Sequence, residues 1–182
     1  YEIKAIGDVL DRNIIVDAKF DSLAVADIYS QPRVIELNPY LDGDLNAIIT
    51  DENIVLQTLL GVKLDKPVPV NTTLDALCNF NYKNKEAALH LISKDGLMNN
   101  QPLNLELAAL LKDNRISLQG LKFNDMLSCS GEMNLTNYRD LNFAINLNDI
   151  NYLDIVRYYP QLDINLPEFN GLNVSAEYNR DH

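Results

Sequence analysis

Residues 141–147, which read LNFAINL, contain the pattern that decides the fold. Leucine, phenylalanine, isoleucine and leucine stand at every second position, with asparagine or alanine between them. The same alternation recurs in residues 45–49, 74–82 and 103–111. A strand places successive side chains on opposite faces of its sheet. These segments therefore predict strands with one apolar face and one polar face.

Polar turn-forming residues separate these segments at short intervals, for example at 94–96 (KDG), 99–102 (NNQP) and 112–114 (KDN). Short turns of this composition join adjacent antiparallel strands. The sequence therefore predicts an all-β, mainly antiparallel fold, in which one long meander contains about ten to thirteen strands.

Two segments have helical spacing, namely residues 2–10 and residues 149–159. The second places Ile150, Leu153 and Val156 on one side and stops at Pro160, which is typical of a short amphipathic helix. We therefore expect one or two short helices beside the sheet.

Three glycines interrupt strand patterns, at Gly43, Gly120 and Gly131. A glycine inside a strand often marks a bulge or a bend. The apolar phase shifts at Gly120, which predicts a bulge there, and continues unchanged through Gly43 and Gly131. Repeated kinks of this kind would let a long sheet curve.

Composition and charge exclude several classes of protein. The chain has 182 residues and a formal net charge of −11 at pH 7. A protein that binds a nucleic-acid backbone needs a positive surface, so the charge argues against nucleic acid as a partner. No apolar run reaches the roughly 20 residues of a membrane-spanning helix. Because the chain has neither an initiator methionine nor a signal segment, we expect one segment of a longer protein, with no domain boundary within residues 1–182.

The residues that usually carry chemistry are sparse. Cys78 and Cys129 lie in phase with the apolar alternation, which favours buried free thiols over a disulfide. His90 lies out of that phase and is predicted to be exposed. No nucleophile, acid–base or metal-ligand motif is recognisable. We therefore expect a protein that is not an enzyme, with no catalytic residues, metal or cofactor.

A long sheet with one apolar face must shield that face from water. It can pack against a second sheet, close into a barrel, or curl and leave a trough. The composition favours a sandwich, whereas the scarcity of aromatic residues and the absence of tryptophan argue against the immunoglobulin type.

The order of these patterns resembles the repeat of the TamB and AsmA-like family, in which alternating strands with an internal glycine lead to a short helix that ends at proline. The match is best over residues 116–166, and 41–50 and 172–178 echo it. The segments that carry it are 116–123 (ISLQGLKF), 127–136 (LSCSGEMNLT), 141–147 (LNFAINL) and 150–160 (INYLDIVRYYP).

The resemblance implies a long curled, taco-like sheet with a hydrophobic concave groove. It further implies a periplasmic protein, anchored in the inner membrane, that shields phospholipid acyl chains on their way to the outer membrane and supports outer-membrane assembly. An Omp85-type barrel would be a partner through other parts of the full-length protein. The two edges of the sheet would allow an edge-strand dimer.

We predict that the groove is lined by Leu74, Ala76, Cys78, Phe80, Leu103, Leu105, Leu107, Leu127, Met133, Leu141, Phe143, Ile145 and Leu147. The same residues would form the core of a closed sandwich, so an adhesion or interaction module without lipid stays an alternative. A lipopolysaccharide-bridge protein, with the same curled sheet and a different cargo, is the other alternative.

Overall fold

A computed structural model describes residues 2–8, 13–24, 40–65, 68–137, 139–160 and 168–180. Its strands are β1 (Glu2–Asp8), β2 (Asn13–Ala24), β3 (Tyr40–Ile49), β4 (Asn53–Leu64), β5 (Val70–Asn81), β6 (Glu86–Met98), β7 (Gln101–Leu103), β8 (Leu105–Lys112), β9 (Arg115–Phe123), β10 (Leu127–Asn134), β11 (Leu141–Ile150) and β12 (Leu172–Arg180), and its helix is α1 (Tyr152–Tyr158).

All of these strands belong to one 12-stranded antiparallel sheet. Strands that follow one another in the chain are neighbours in the sheet, except that β6 pairs both with the short β7 and with β8. The sheet is curled and does not close on itself. The predicted all-β, taco-like fold class is therefore confirmed, and the described strands do not divide into the two packed sheets of a sandwich.

The helix predicted over residues 2–10 is wrong. Residues 2–8 form β1, which pairs with β2 along its whole length, from Glu2 opposite Lys19 to Asp8 opposite Asn13. Residues 9 and 10 lie outside the described residues. Helical spacing over so few residues is a weak preference, and pairing with a neighbouring strand overrides it. The second predicted helix is present as α1, which begins after the N-cap residue Asn151.

The glycine predictions agree with the strand register. Opposite β8, the pairing passes from Gly120 to Leu118, so Gln119 is the extra residue of the predicted bulge. The register between β3 and β4 runs unbroken through Gly43, and that between β10 and β11 through Gly131, also as predicted. At Gly43 the backbone φ is +149°, a conformation that side chains with a Cβ avoid.

The two faces of the sheet differ in chemistry. We call the face that carries Leu74, Leu107 and Leu141 the apolar face, and the opposite one the polar face. Ion pairs between neighbouring strands lie on the polar face, including Lys19–Asp44, Lys94–Asp75, Lys112–Glu86 and Lys122–Glu106. These pairs are solvent-exposed, so each contributes little to stability.

The fully buried core is small. Val68, Met98 and Leu103 form one cluster at the strand ends, with Phe123 and Tyr158 packed against it. Among the described residues no large side chain is more deeply buried than this cluster. The described fold is therefore held mainly by the ladder of the sheet and by side-chain contacts within one face.

Candidate functional site

Every residue predicted to line a groove lies on the apolar face. Directly opposed residues of antiparallel strands share a face, so the strand register assigns each of them. Leu74, Ala76, Cys78 and Phe80 lie on β5, Leu103 on β7, Leu105 and Leu107 on β8, Leu127 and Met133 on β10, and Leu141, Phe143, Ile145 and Leu147 on β11.

One row of opposed residues shows how far this face continues. It runs across the sheet from β2 to β12 through Val16, Ala47, Leu56, Cys78, Leu89, Ala109, Leu118, Gly131, Phe143 and Tyr178. No residue of this row carries a charge or a strong hydrogen-bonding group other than the terminal tyrosine. At about 4.8 Å per strand the row is about 43 Å long, measured along the sheet.

Charged side chains are absent from the apolar face between β3 and β11 in the described part of the chain. The polar side chains there are few, and two of them bond to the backbone. Thr58 Oγ1 donates to Asp44 O at 2.8 Å, and Ser93 joins two strands. Ser93 Oγ donates to Leu103 O at 3.0 Å and accepts from Leu105 N at 2.7 Å. This side chain bridges the interruption at Asn104, where the predicted continuous strand 103–111 divides into β7 and β8.

The apolar face is open rather than covered. Of the predicted lining residues only Leu103 is buried, at 7% exposure, and the others are half-buried. No second sheet lies over them in the described structure. Apolar side chains on the polar face, such as Leu59 at 50% and Leu77 at 46%, are more exposed. The lower exposure of the apolar face fits a sheet that curls toward it.

The helix α1 lies at the strand ends, against the apolar face. The Tyr158 hydroxyl donates to Pro102 O at 2.7 Å and accepts from Asn124 Nδ2 at 2.8 Å. Its ring meets Phe123 edge to face at 5.6 Å. Asn99 Nδ2 donates to Arg157 O at 2.6 Å. Although it follows β11 in the chain, the helix therefore reaches as far as the turn between β6 and β7.

Burial raises the pKa of Tyr158 above its ordinary value of 10.0. The hydrogen bond from Asn124 lowers that pKa in part, and the charge of Asp154 raises it further. The net direction is upward because removing the hydroxyl from water disfavours the phenolate. The folded protein therefore holds Tyr158 neutral to a higher pH than the unfolded chain does.

A pocket of about 390 Å³ lies between α1 and the sheet, and we call it the helix-covered pocket. It is lined by Leu105, Leu121, Phe123, Met126, Leu127, Leu147, Ile150, Asp154, Ile155, Tyr158 and Tyr159. This pocket was not predicted from the sequence, because the apolar stripe considered there was that of Ile150, Leu153 and Val156, without Ile155 or Tyr158. Ile155 and Tyr158 line the pocket, whereas Leu153 is 58% exposed.

The residues considered for chemistry lie where the sequence predicted. Cys78 and Cys129 are free, half-buried thiols on the apolar face, on β5 and β10. His90 is exposed on the polar face, where its Nε2 lies 3.9 Å from a carboxylate oxygen of Glu106. Among the described residues no group of His, Cys, Asp and Glu is arranged to hold a metal ion.

Comparison with known proteins adds no relative. No protein-family model, no curated protein and no solved structure matches this chain. The resemblance to the TamB and AsmA-like family therefore stays a prediction. Within the described residues, no helix is both long enough and apolar enough to cross a membrane.

Proposed function

We propose that this chain is a non-catalytic segment of a lipid conduit, which binds phospholipid acyl chains along the apolar face and shields them from water. The observation that carries the proposal is the row from Val16 to Tyr178, which is uncharged and, apart from the buried Ala47, partly or fully exposed across the sheet. Contiguous exposed apolar surface of this size usually marks an interaction site.

The free energy of binding would come from burying methylene groups. Each CH₂ that moves from water to the apolar face contributes about 0.8 kcal/mol. A fatty acyl chain can lie along the face without leaving any polar atom unsatisfied, because a hydrocarbon has none. A protein strand could not do this, since its backbone groups need partners.

The uniform chemistry of the face favours movement over fixed binding. A specific pocket orients its ligand by a small number of placed polar groups. Between β3 and β11 the described apolar face carries no charged group that could hold a headgroup in one place. A chain bound there keeps similar contacts when it shifts by one strand, so the barrier to sliding is low. Location in the periplasm, anchoring in the inner membrane and an Omp85-type partner are the parts of this proposal that come from the family resemblance.

The proposal is tested by placing a charge in the row and a matched charge beside it. Phe143→Arg puts a guanidinium on the apolar face, and Ala144→Arg puts one on the polar face of the same strand. Because the apolar face is open, both variants should fold, as judged by circular dichroism. Phe143→Arg should lose co-purified lipid in native mass spectrometry, and Ala144→Arg should retain it.

Four results would contradict the proposal in whole or in part. Unfolding of Phe143→Arg alone would mean that this face is a closed core, because a charge forced into a closed core destabilises it. Lipid retained equally by both variants would place the lipid elsewhere. Absence of lipid from the native protein, after purification from cells that contain diacyl lipids, would favour an interaction module. If lipopolysaccharide is the lipid found, the cargo proposed here is wrong.

A further inference from the structure

The helix-covered pocket differs from the rest of the apolar face because the helix α1 lies over it. Ile155 and Tyr158 of α1 lie over side chains at the ends of β8 to β11, and the pocket between them, which is partly open to solvent, has a volume of about 390 Å³. Pockets that bind small molecules are typically about 300–1,000 Å³ and mostly apolar. Its size and lining therefore suit a single ligand of modest size.

The helix α1 is held at both ends by hydrogen bonds to residues in or next to the sheet. At its start, Asn151 Oδ1 accepts from Gly171 N at 3.0 Å, next to β12. At its end, Tyr158 bonds to Pro102 O and Arg157 O accepts from Asn99. These contacts hold α1 above the sheet and keep the space beneath it open.

Two polar side chains of the lining already have partners within the protein. The Tyr158 hydroxyl donates one hydrogen bond and accepts another. Asp154 Oδ2 accepts from the backbone N and from Nδ2 of Asn151, each at 3.0 Å. The other lining side chains, apart from Tyr159, are apolar, so the pocket favours a hydrocarbon ligand.

The charge of the lining sets the direction of the ligand. It contains the carboxylate of Asp154 and no Lys, Arg or His. Asp154 is itself ion-paired with Arg157 at 3.9 Å. An anionic headgroup therefore finds no cationic partner in the lining, and the mostly apolar side chains suit the methyl end of a chain better than a polar headgroup. At about 30 Å³ for a group the size of water or methylene, the pocket has room for about a dozen carbons.

We propose that the helix-covered pocket binds the methyl end of one acyl chain of a zwitterionic lipid. The inference rests on the proposed function, because its floor belongs to the same apolar face. Leu105, Phe123, Leu127 and Leu147 form one row of opposed residues in that floor. The chain would leave the pocket along the neighbouring row of the apolar face.

The test uses alkylphosphocholines from octyl to hexadecyl as probes, with affinities measured below the micelle concentration. Affinity should rise by about fourfold per added methylene until the pocket is full at about a dozen carbons, and then rise less steeply. Leu127→Trp fills the pocket and should weaken binding of the dodecyl probe by at least about tenfold. The adjacent Ser128→Trp lies on the polar face and is the matched control, expected within about twofold of the native protein.

A third variant separates this inference from the proposed function. Ala76→Trp places the same side chain on the open apolar face of β5, away from α1. If Ala76→Trp weakens binding as much as Leu127→Trp or more, the chain lies on the open face, and the pocket proposal is wrong while the conduit stands. If the native protein binds no probe at all, both are wrong.

A photo-crosslinking probe locates the bound acyl chain directly and can be used if Leu127→Trp does not fold. A dodecylphosphocholine with a diazirine at its methyl end should crosslink to the native protein at peptides that contain Phe123 or Ile155. Crosslinks confined to β4 and β5 would overturn the pocket proposal.

Discussion

Gly43 and Gly120 provide a direct test of how the sheet is built, because both lie inside strands and the structure gives them opposite surroundings. At Gly43 an added Cβ would overlap Leu59 O and lie 3.0 Å from Leu60 Cα, both backbone atoms of β4. Its φ of +149° adds strain for any other residue. At Gly120 an added Cβ meets no atom within 4 Å.

The two substitutions are expected to have different effects on the free energy of unfolding. Alanine at Gly43 has to adopt a strained φ, at about 1–3 kcal/mol, and has to push β3 and β4 apart, at about 1–3 kcal/mol more. Gly43→Ala should therefore lower the free energy of unfolding by about 2–6 kcal/mol. Gly120→Ala should leave it unchanged or raise it by up to about 1 kcal/mol, because alanine restricts the unfolded chain.

Urea unfolding followed by circular dichroism measures both variants against the native protein. A lower midpoint at an unchanged slope gives the stability difference directly. The reasoning is refuted if the two variants unfold within about 0.5 kcal/mol of each other, or if Gly120→Ala is the less stable one. Either result would mean that β3 and β4 are not in the close approach described here.

Three further predictions concern the apolar face and α1. Alkylation of Cys129 by iodoacetamide should slow severalfold when dodecylphosphocholine is bound, because Cys129 lies opposite the pocket residue Leu121. The thiol of Cys78 on β5 and a thiol introduced on the polar face by Ala88→Cys should react at unchanged rates, and equal slowing of all three would contradict binding in the pocket. Tyr158→Phe removes two hydrogen bonds worth about 1 kcal/mol each, so amide hydrogen exchange in α1 should accelerate by up to about thirtyfold. The amides of β4 and β5 should stay protected. Unchanged exchange in α1 would show that the Tyr158 hydroxyl does not hold the helix against the sheet. Because the pKa of Tyr158 is raised in the folded state, the unfolded chain ionises first, and stability should fall as the pH rises through 10.0 and above. That fall should be smaller in Tyr158→Phe, and an identical alkaline profile would argue against the burial of this hydroxyl.

The strands and their apolar face could be predicted from the sequence because both depend on a period of two. Once Leu141, Phe143 and Ile145 alternate with polar or small residues, their shared face is fixed within β11. Antiparallel register then joins the faces of neighbouring strands, so the residues chosen strand by strand meet on one surface. A slip of one residue in any of these strands would have moved the whole apolar set of that strand to the polar face.

The path of the chain at the strand ends could not be predicted in the same way. Residues 2–8 carry a spacing that fits a helix, and only pairing with β2 determines that they form a strand. In α1, Leu153 and Val156 have the spacing of a buried stripe. The side that contacts the sheet is instead set by Tyr158, whose partners Pro102 and Asn124 lie far away in the sequence.

Curvature was predictable only in part, since alternation says nothing about whether a sheet closes. The glycines gave the one usable signal, and the bulge at Gly120 lies where the phase shift placed it. The bulge in β2, between Phe20 and Leu23, contains no glycine and was not predicted. Bends of this kind depend on backbone contacts between strands, which a hydrophobic pattern does not encode.

The exposed edge strand β12 affects the length of the proposed conduit. The long apolar row ends on β12 at Tyr178, whose ring stacks on Phe143 at 5.4 Å. In the described sheet β12 has β11 as its one neighbour, and its side chains are exposed. Such an edge can accept another antiparallel strand, including one from a second copy, as the sequence predicts for an edge-strand dimer. An added strand with apolar residues in register would extend the row by about 4.8 Å without new chemistry. The length of the apolar face then depends on how many strands the sheet contains. The face is continuous only if every strand contributes an apolar residue, so we expect that a single charge at position 143 interrupts it.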